Sequence, residues 1–361
     1  MTEGMYPNGI FMDGMITGGL MGGGMMLGAA ALGASRSIRT DMADESRAVG
    51  AGSQARTQSG MDGIEVEQDG DEEVKITRVR VINPEGEKAV GKPMGNYITM
   101  DMPALREKSR DLYEKVCRML ARELENLVHL EAKDTVLVVG LGNWNVTADA
   151  LGPKAAQYIL VTRHIFEFLP QEVDETERPV CALSPGVLGI TGIETGDIVK
   201  GVVDKIKPKL VIAVDALASR NMNRVNASIQ LADTGIAPGS GVGNKRASID
   251  KETLGVPVIA IGVPTVVDAA TMASDTLDLV LDNLMKEAGQ GSEFYKMLTT
   301  IDREEKYRMI IQLLEPFSGN LVVTPKDCDE VVDMLSKIVA NGINMALHQN
   351  IGPDDVDRFI R

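Results

Sequence analysis

Two aspartates, Asp149 and Asp215, are the residues best placed by type and spacing to do chemistry. Each closes or follows a short apolar run, Thr135 to Val139 ahead of Asp149 and Lys209 to Val214 ahead of Asp215. Runs this short and this rich in β-branched residues read as strands buried on both faces. In open α/β sheets, ligands bind beyond the carboxyl ends of the strands. If the two strands are neighbours, both carboxyl groups meet over one sheet edge. Such a pair suits acid–base hydrolysis: an ionised carboxylate takes a proton from water and a protonated one gives a proton to the leaving group. Repulsion between them keeps both from ionising together. An aspartate after a strand also serves as a helix cap or hydrogen-bond anchor, and spacing alone leaves both readings open.

The segment after the first strand is dense in polar groups. Gly140 and Gly142 let the backbone turn. Asn143, the single tryptophan Trp144, Asn145 and Thr147 then precede a helix expected to begin near Ala148 and to reach about His164. Asn143, Asn145 and Thr147 are candidates for positioning the aspartates or a substrate backbone, and equally for holding the turn. The glycine-rich run Gly239–Gly243 lacks the spacing of a nucleotide motif and is read as lining a groove, with Lys245 and Arg246 either meeting acidic substrate residues or simply solvated.

Other chemistries find little support. His129, His164 and His348 are isolated, with no His-Glu-x-x-His pair. No Gly-x-Ser-x-Gly elbow surrounds Ser184, Ser228 or Ser240. Neither a metal nor a cofactor is therefore expected. Cys117, Cys181 and Cys328 are distant and odd in number, which reads as small buried hydrophobes in a reducing cytoplasm. A net charge of −15 argues against direct nucleic-acid contact.

A chain of 361 residues, 44% hydrophobic, has ample length for a large core. With only 4% aromatic residues, its 20 methionines are expected to fill gaps in that core. Gly14 to Ser35 carries no charge and lacks the basic start of a secretion signal. Its glycine content disfavours a membrane span, so it is read as a removable leader. Gly50 to Asp71 reads as a polar linker. Val74 to Val81 reads as a strand with a slip near Arg78 suggesting a bulge. A turn at Asn83–Gly86 follows, then a hairpin return over Lys88–Lys92 and a strand at Tyr97–Met100. Pro103 to Leu130 reads as one long amphipathic helix. Strands at Val180–Leu183, Ala227–Leu231 and Val256–Val263 follow, with helices at Glu194–Ile206, Val266–Lys286, Glu293–Thr299, Glu304–Leu314 and Asp327–Leu347. The alternation predicts an α/β fold of three layers, a mainly parallel central sheet with helices on both faces and small β additions. The expected organisation is a leader over 1–41 and one α/β domain over 42–361, with a β-hairpin region at 72–100 and a C-terminal helix at 326–350.

Several long runs then become recognisable: Gly95–Thr99, Val138–Thr147, Asp149–Pro153, Pro185–Thr195, Arg224–Asn226, Asp233–Ile236 with Pro238–Arg246, and Ile261–Ala269. In this order they resemble the germination proteases of spore-forming bacteria, and the similarity extends from about Arg39 to about Leu347. The resemblance implies an endopeptidase of the spore core cytoplasm that degrades small acid-soluble spore proteins, which coat spore DNA, during germination. It implies an atypical aspartic protease related in fold to hydrogenase-maturation peptidases, with its catalytic aspartates at Asp149 and Asp215. It also implies a homotetramer made as a zymogen that removes its own N-terminal segment. Substrates of this family are cut after an acidic residue within a run of hydroxyl, acidic, apolar, Ala, variable and acidic residues. Thr40 to Glu45 fits that run, so self-cleavage is expected between Asp41 and Met42, the whole Gly/Met leader forming the propeptide; an ordinary helix start at Thr40 is the plainer reading. Two other classes stand beside this one: a metal-dependent maturation peptidase of the related fold, and a non-catalytic nucleotide-binding protein.

Overall fold

The apolar runs assemble into one sheet, in which nine strands are found among the described residues. A computed structural model describes residues 41–42, 45, 63–107, 109–173, 176–239, 247–288, 292–300, 302–314, 321–349 and 351–352. The leader, most of the expected linker and the run from Ser240 to Arg246 lie outside these residues. In chain order the main elements are β1 (Ile64–Gly70), β2 (Lys75–Val81), α1 (Pro84–Val90), β3 (Gly95–Asp101), α2 (Arg110–Leu127), β4 (Val136–Gly140), α3 (Leu151–Gln157), α4 (Arg163–Phe168), β5 (Val180–Leu183) and α5 (Thr195–Ile206). They continue with β6 (Leu210–Ser219), β7 (Ser228–Ala232), β8 (Val258–Asp268), α6 (Ala269–Ala288), α7 (Glu293–Thr299), α8 (Arg303–Leu314), β9 (Val322–Val323) and α9 (Cys328–Leu347).

The strands lie in the order β1-β2-β3-β7-β8-β6-β4-β5, with β9 paired to β8. β5, β4, β6 and β8 run parallel, whereas β7, β3, β2 and β1 continue the sheet antiparallel. The parallel half explains the unbroken apolar runs, because both of its faces are covered. Val136 and Val138 of β4, with Leu210, Ile212 and Val214 of β6, pack toward α2 and α9. Their neighbours Leu137, Val139, Val211 and Ala213 pack with Val199 and Val203 of α5 on the other face. α9 is the central helix of the first core; its buried Asn341 and Asn344 are satisfied by the Tyr113 hydroxyl and the Tyr158 carbonyl.

Several local expectations are corrected. The linker already becomes structured at Ile64, where β1 pairs in continuous register with β2. No bulge stands at Arg78: β2 is covered on two faces, which shifts its apolar pattern without shifting its register. Ile76 packs in the main core, while Val79 and Val81 join Val90 and Tyr97 in a small separate core. Lys88–Lys92 does not return as a hairpin. Asn83 accepts the Gly86 N–H and Pro84 sits in the first turn, so a helix starts there, and Gly91 closes it in a left-handed conformation. The long helix over Pro103–Leu130 is a short turn at Pro103–Glu107 followed by α2. The helix expected from Ala148 to His164 is three pieces, a 3-10 turn at Thr147–Asp149, then α3 and α4. Asn344 divides the last two by accepting the Leu160 N–H and donating to the Tyr158 carbonyl, which pulls the chain out of helix. β8 extends to Asp268, and α6 starts only at Ala269, where Asp268 accepts the Thr271 N–H.

Candidate active site

β4 pairs with β6 only as far as Gly140 opposite Val214, with one further bond from Leu141 N to the Val214 carbonyl. The chain then turns away through Gly142, whose φ of +118° and closeness to the Asp149 carbonyl exclude a side chain. The turn places Asp149 at the end of the 3-10 segment, where its Oδ2 accepts the Asn143 N–H at 2.7 Å. Asn143 Oδ1 in turn accepts the Asn145 N–H. Asn143 and Asn145 thus hold the turn that presents Asp149, and Asn143 touches that aspartate through its backbone.

Asp215 is buried in β6, not at its tip as expected. β6 continues to Ser219 because β8 accompanies it past Pro264. Proline has no N–H for the ladder, and the register shifts between Leu217 and Ala218. The extra residue, Thr265, donates its hydroxyl to the Ala148 carbonyl at 2.6 Å, which ties the Asp149 turn to the strands beside Asp215. Asp215 Oδ1 accepts the Ala216 N–H at 2.9 Å. Burial, joined by the negative charge of Asp149 and that of Asp41, pushes the Asp215 carboxyl well above the usual carboxylate range.

Both aspartates line one cavity of about 460 Å³, and Asp41, Lys92, Gln230 and Thr265 line it with them. Asp41 occupies the edge of β6 that β4 has vacated. Its N–H donates to the Ala218 carbonyl at 3.0 Å, and its Oδ2 accepts the Ala218 N–H at 2.9 Å. Met42 is fully buried. Glu45 is buried too, accepting the Arg220 and Asn221 N–H groups at 2.7 and 3.1 Å, with Arg224 Nη1 at 3.7 Å. Asp101 holds that arginine through Nη2 at 2.9 Å.

Other sequence candidates fall elsewhere. Trp144 is 47% exposed and does not line the cavity. Gly239 does line it, whereas Lys245 and Arg246 lie outside the described residues. His129 and His164 are exposed. His348 is buried between the Arg178 N–H and the Leu160 carbonyl, and burial lowers its pKa to about 4. Burial pushes the Cys117 and Cys181 thiols up to about 12 and about 11, as befits packing residues. Among the described residues, no three His, Cys, Asp or Glu side chains gather as metal ligands would. Lys92 and Gln230 were not singled out as site residues by the sequence reading, in which Glu45 figured only as the last acidic position of the substrate run and Arg224 only within a family motif; Gln230, a polar residue inside an apolar strand run, carried a visible signal.

Comparison with known proteins decides the family. The profile of the germination protease family matches residues 39–300 and 282–360. A germination protease of Clostridium perfringens is 50% identical over 325 residues, covering 90% of this chain and 99% of the relative. That of Clostridium tetani is 49% identical over 324 residues, with the same coverage, and that of Bacillus cereus 41% over 357 residues, covering 90% and 97%. The chain belongs to the germination protease family. It is a peptidase of spore germination with the α/β fold that the sequence predicts, and the cavity lined by Asp149 and Asp215 lies where β4 turns away from β6. No helix among the described residues is long and apolar enough to cross a membrane.

Proposed function

We propose that this germination protease is the zymogen of an aspartic endopeptidase of the spore core, that its substrates are small acid-soluble spore proteins, and that it matures by cutting its own Asp41–Met42 bond. The propeptide is then residues 1–41 and the peptidase 42–361. The observation that carries this reading is the presence of Asp41 in the same cavity as Asp149 and Asp215. The substrate run places acidic residues at its second and sixth positions, here Asp41 and Glu45. Both carboxylates have receptors: the Ala218 N–H for the first, and the Arg220 and Asn221 N–H groups for the second.

In the reaction, ionised Asp149 takes a proton from water as its oxygen attacks the Asp41 carbonyl carbon. The carbonyl π pair moves onto oxygen, giving a tetrahedral intermediate. When that pair returns, the C–N bond breaks, its electrons go to nitrogen, and Asp215 supplies the proton that leaves Met42 as a free amine. The products are a new carboxylate at Asp41 and a new N-terminus at Met42.

Purified Asp149→Asn and Asp215→Asn variants incubated with spore proteins test the assignment. Both substrate loss and self-cleavage are expected to stop, while the wild-type chain acquires Met42 as its first residue. A mature chain beginning before Arg36, or an Asp215→Asn variant of undiminished activity, sinks it.

We further propose a homotetramer, supported by the apolar side chains that α6 to α8 leave exposed, among them Leu279 at 65% and Leu313 at 71%. Sedimentation of a Leu279→Glu/Leu313→Glu variant should show smaller species; an unaltered tetramer places the contact elsewhere.

A further inference from the structure

The carbonyl of Asp41 is the oxygen on which negative charge would collect if the Asp41–Met42 bond were hydrolysed. Two side chains already point hydrogen bonds at it: Lys92 Nζ at 3.0 Å and Gln230 Nε2 at 3.3 Å. We propose that Lys92 and Gln230 are catalytic residues that clamp the scissile carbonyl oxygen and stabilise the oxyanion of the tetrahedral intermediate. This rests on the reading of Asp41–Met42 as the bond that is cut.

Lys92 follows the left-handed Gly91 that ends α1. Its neighbour Pro93 is pinned by the Tyr97 hydroxyl, which donates to the Pro93 carbonyl at 2.8 Å. Gln230 is buried in β7 and stands opposite Gly262 of β8, which stands opposite Asp215 of β6. Residues in register on neighbouring strands share a face, so Asp215 and Gln230 face the cavity about 10 Å apart, two strand spacings, with Gly262 between them and the Leu217 side chain lying over that glycine. Asp41 is seated on the β4 side of β6 by its own backbone bond to Ala218, and its carbonyl oxygen receives both donors. An amide and an ammonium fixed in a partly water-free cleft gain strength as the carbonyl becomes an oxyanion, because they need not reorient when charge develops. No electrons or protons are transferred to either group: the π pair resides on the held oxygen and returns as the C–N bond breaks.

The test uses the full-length chain, following release of the Met42 N-terminus by mass spectrometry. Lys92→Met is expected to slow this step about 100-fold, the scale of losing one oxyanion donor, and Gln230→Leu about 10-fold. Lys92→Arg, which keeps the charge, is expected to recover most of the loss. Amide exchange at Asp41 and Met42, measured in an Asp215→Asn background, separates clamping from mere docking: it should be the same with Lys92 or with Met at position 92. Lys92 is only half-buried, so its variants spare the core if Gln230→Leu fails to fold. Processing of Lys92→Met at the wild-type rate overturns the clamp, and so does slow processing with faster exchange at Asp41. Wild-type processing at a different bond overturns instead the assignment of Asp41–Met42 on which the clamp depends.

Discussion

The two halves of the sheet contribute to the cleft in different ways. The parallel half supplies Asp215 from within β6 and Asp149 from the turn that follows β4, on strands covered on both faces by helices. The antiparallel half supplies Gln230 from β7 and, through α1, the loop that carries Lys92. Its outer strands have a separate small core of Ile64, Val79, Val81, Val90, Tyr97 and Ala232. A polar group can be held at a cleft by a deeply buried strand, or by a lighter structure pinned at a few points. Asp215 and Gln230 use the first arrangement and Lys92 the second. Perturbing either half should therefore leave a different signature.

The largest effect is expected at the pair itself. Asp215→Asn should lower both self-cleavage and substrate cleavage by about 1,000-fold or more, in the range for loss of a general acid. The same substitution should raise the melting temperature near neutral pH. The sign follows from linkage: the folded-state pKa of Asp215 lies well above the reference value of 3.8. The folded protein therefore binds a proton that the unfolded chain has released, and stability declines as pH rises from about 4 through the folded-state pKa. An asparagine has no such proton to lose. Thermal melts of the wild type and the variant across that range should converge at low pH and separate as pH rises. Parallel curves throughout would mean that Asp215 is not held protonated by the fold.

Next in size is Gly142→Ala. A β-carbon there would lie 2.0 Å from the Asp149 carbonyl oxygen, on a backbone with positive φ. The turn must shift and carry Asp149 with it. We expect about 2 kcal/mol of lost stability, measured by urea unfolding, with a fall in kcat exceeding 100-fold.

The antiparallel half is best loosened at Arg78. Its guanidinium reaches across from β2 and makes two bonds to the buried Glu123 of α2, the one ion pair in which Arg78 meets a buried carboxylate among the described residues. Removing one partner leaves the other desolvated and uncompensated. Because Arg78 is itself partly exposed, Arg78→Met should cost about 2 kcal/mol, less than a fully buried pair would. If the halves are as distinct as the packing implies, amide exchange should rise in β1 to β3 and leave β4 and β6 unaltered.

How much of this was legible follows the same division. The strand that leads into Asp149 and the one that carries Asp215 announce themselves because a strand buried on both faces must be apolar throughout. Their neighbour relation then brings the carboxyl groups to one edge. β1 escaped detection because Ile64 to Gly70 is an edge strand whose Glu65, Glu67 and Asp69 face solvent, so composition imitates a linker. α1 escaped because Pro84 and Gly86 sit in its first turn, where they resemble a β-turn until the Asn83 cap is seen. Lys92 was invisible for the same reason: nothing in a lone lysine after a glycine says that the glycine stops a helix and aims the lysine into a cleft. The continuation of β6 beyond Asp215 depends on β8 bulging at Thr265, a long-range pairing that neither segment encodes alone.

The smallest effect we predict is at Glu45, and it bears on whether both halves engage one peptide. Glu45 accepts two backbone N–H groups just past the end of β6, while Asp101, at the end of β3 in the antiparallel half, orients Arg224 toward it. Glu45→Gln keeps the shape and one acceptor oxygen but removes the charge. A charge-assisted bond is worth roughly 1.5–3 kcal/mol, and a neutral oxygen retains about half of that. Self-cleavage should therefore slow by about 10-fold, through weaker docking of the segment rather than slower chemistry. In contrast to Lys92→Met, the loss should come with faster amide exchange at Asp41 and Met42. Asp101→Asn should reproduce a part of the same loss, because Arg224 would no longer be held toward the site. A Glu45→Gln chain that processes at the wild-type rate, with exchange unchanged, would show that the β6 edge alone seats the segment and that the turn at Arg220 adds nothing to recognition.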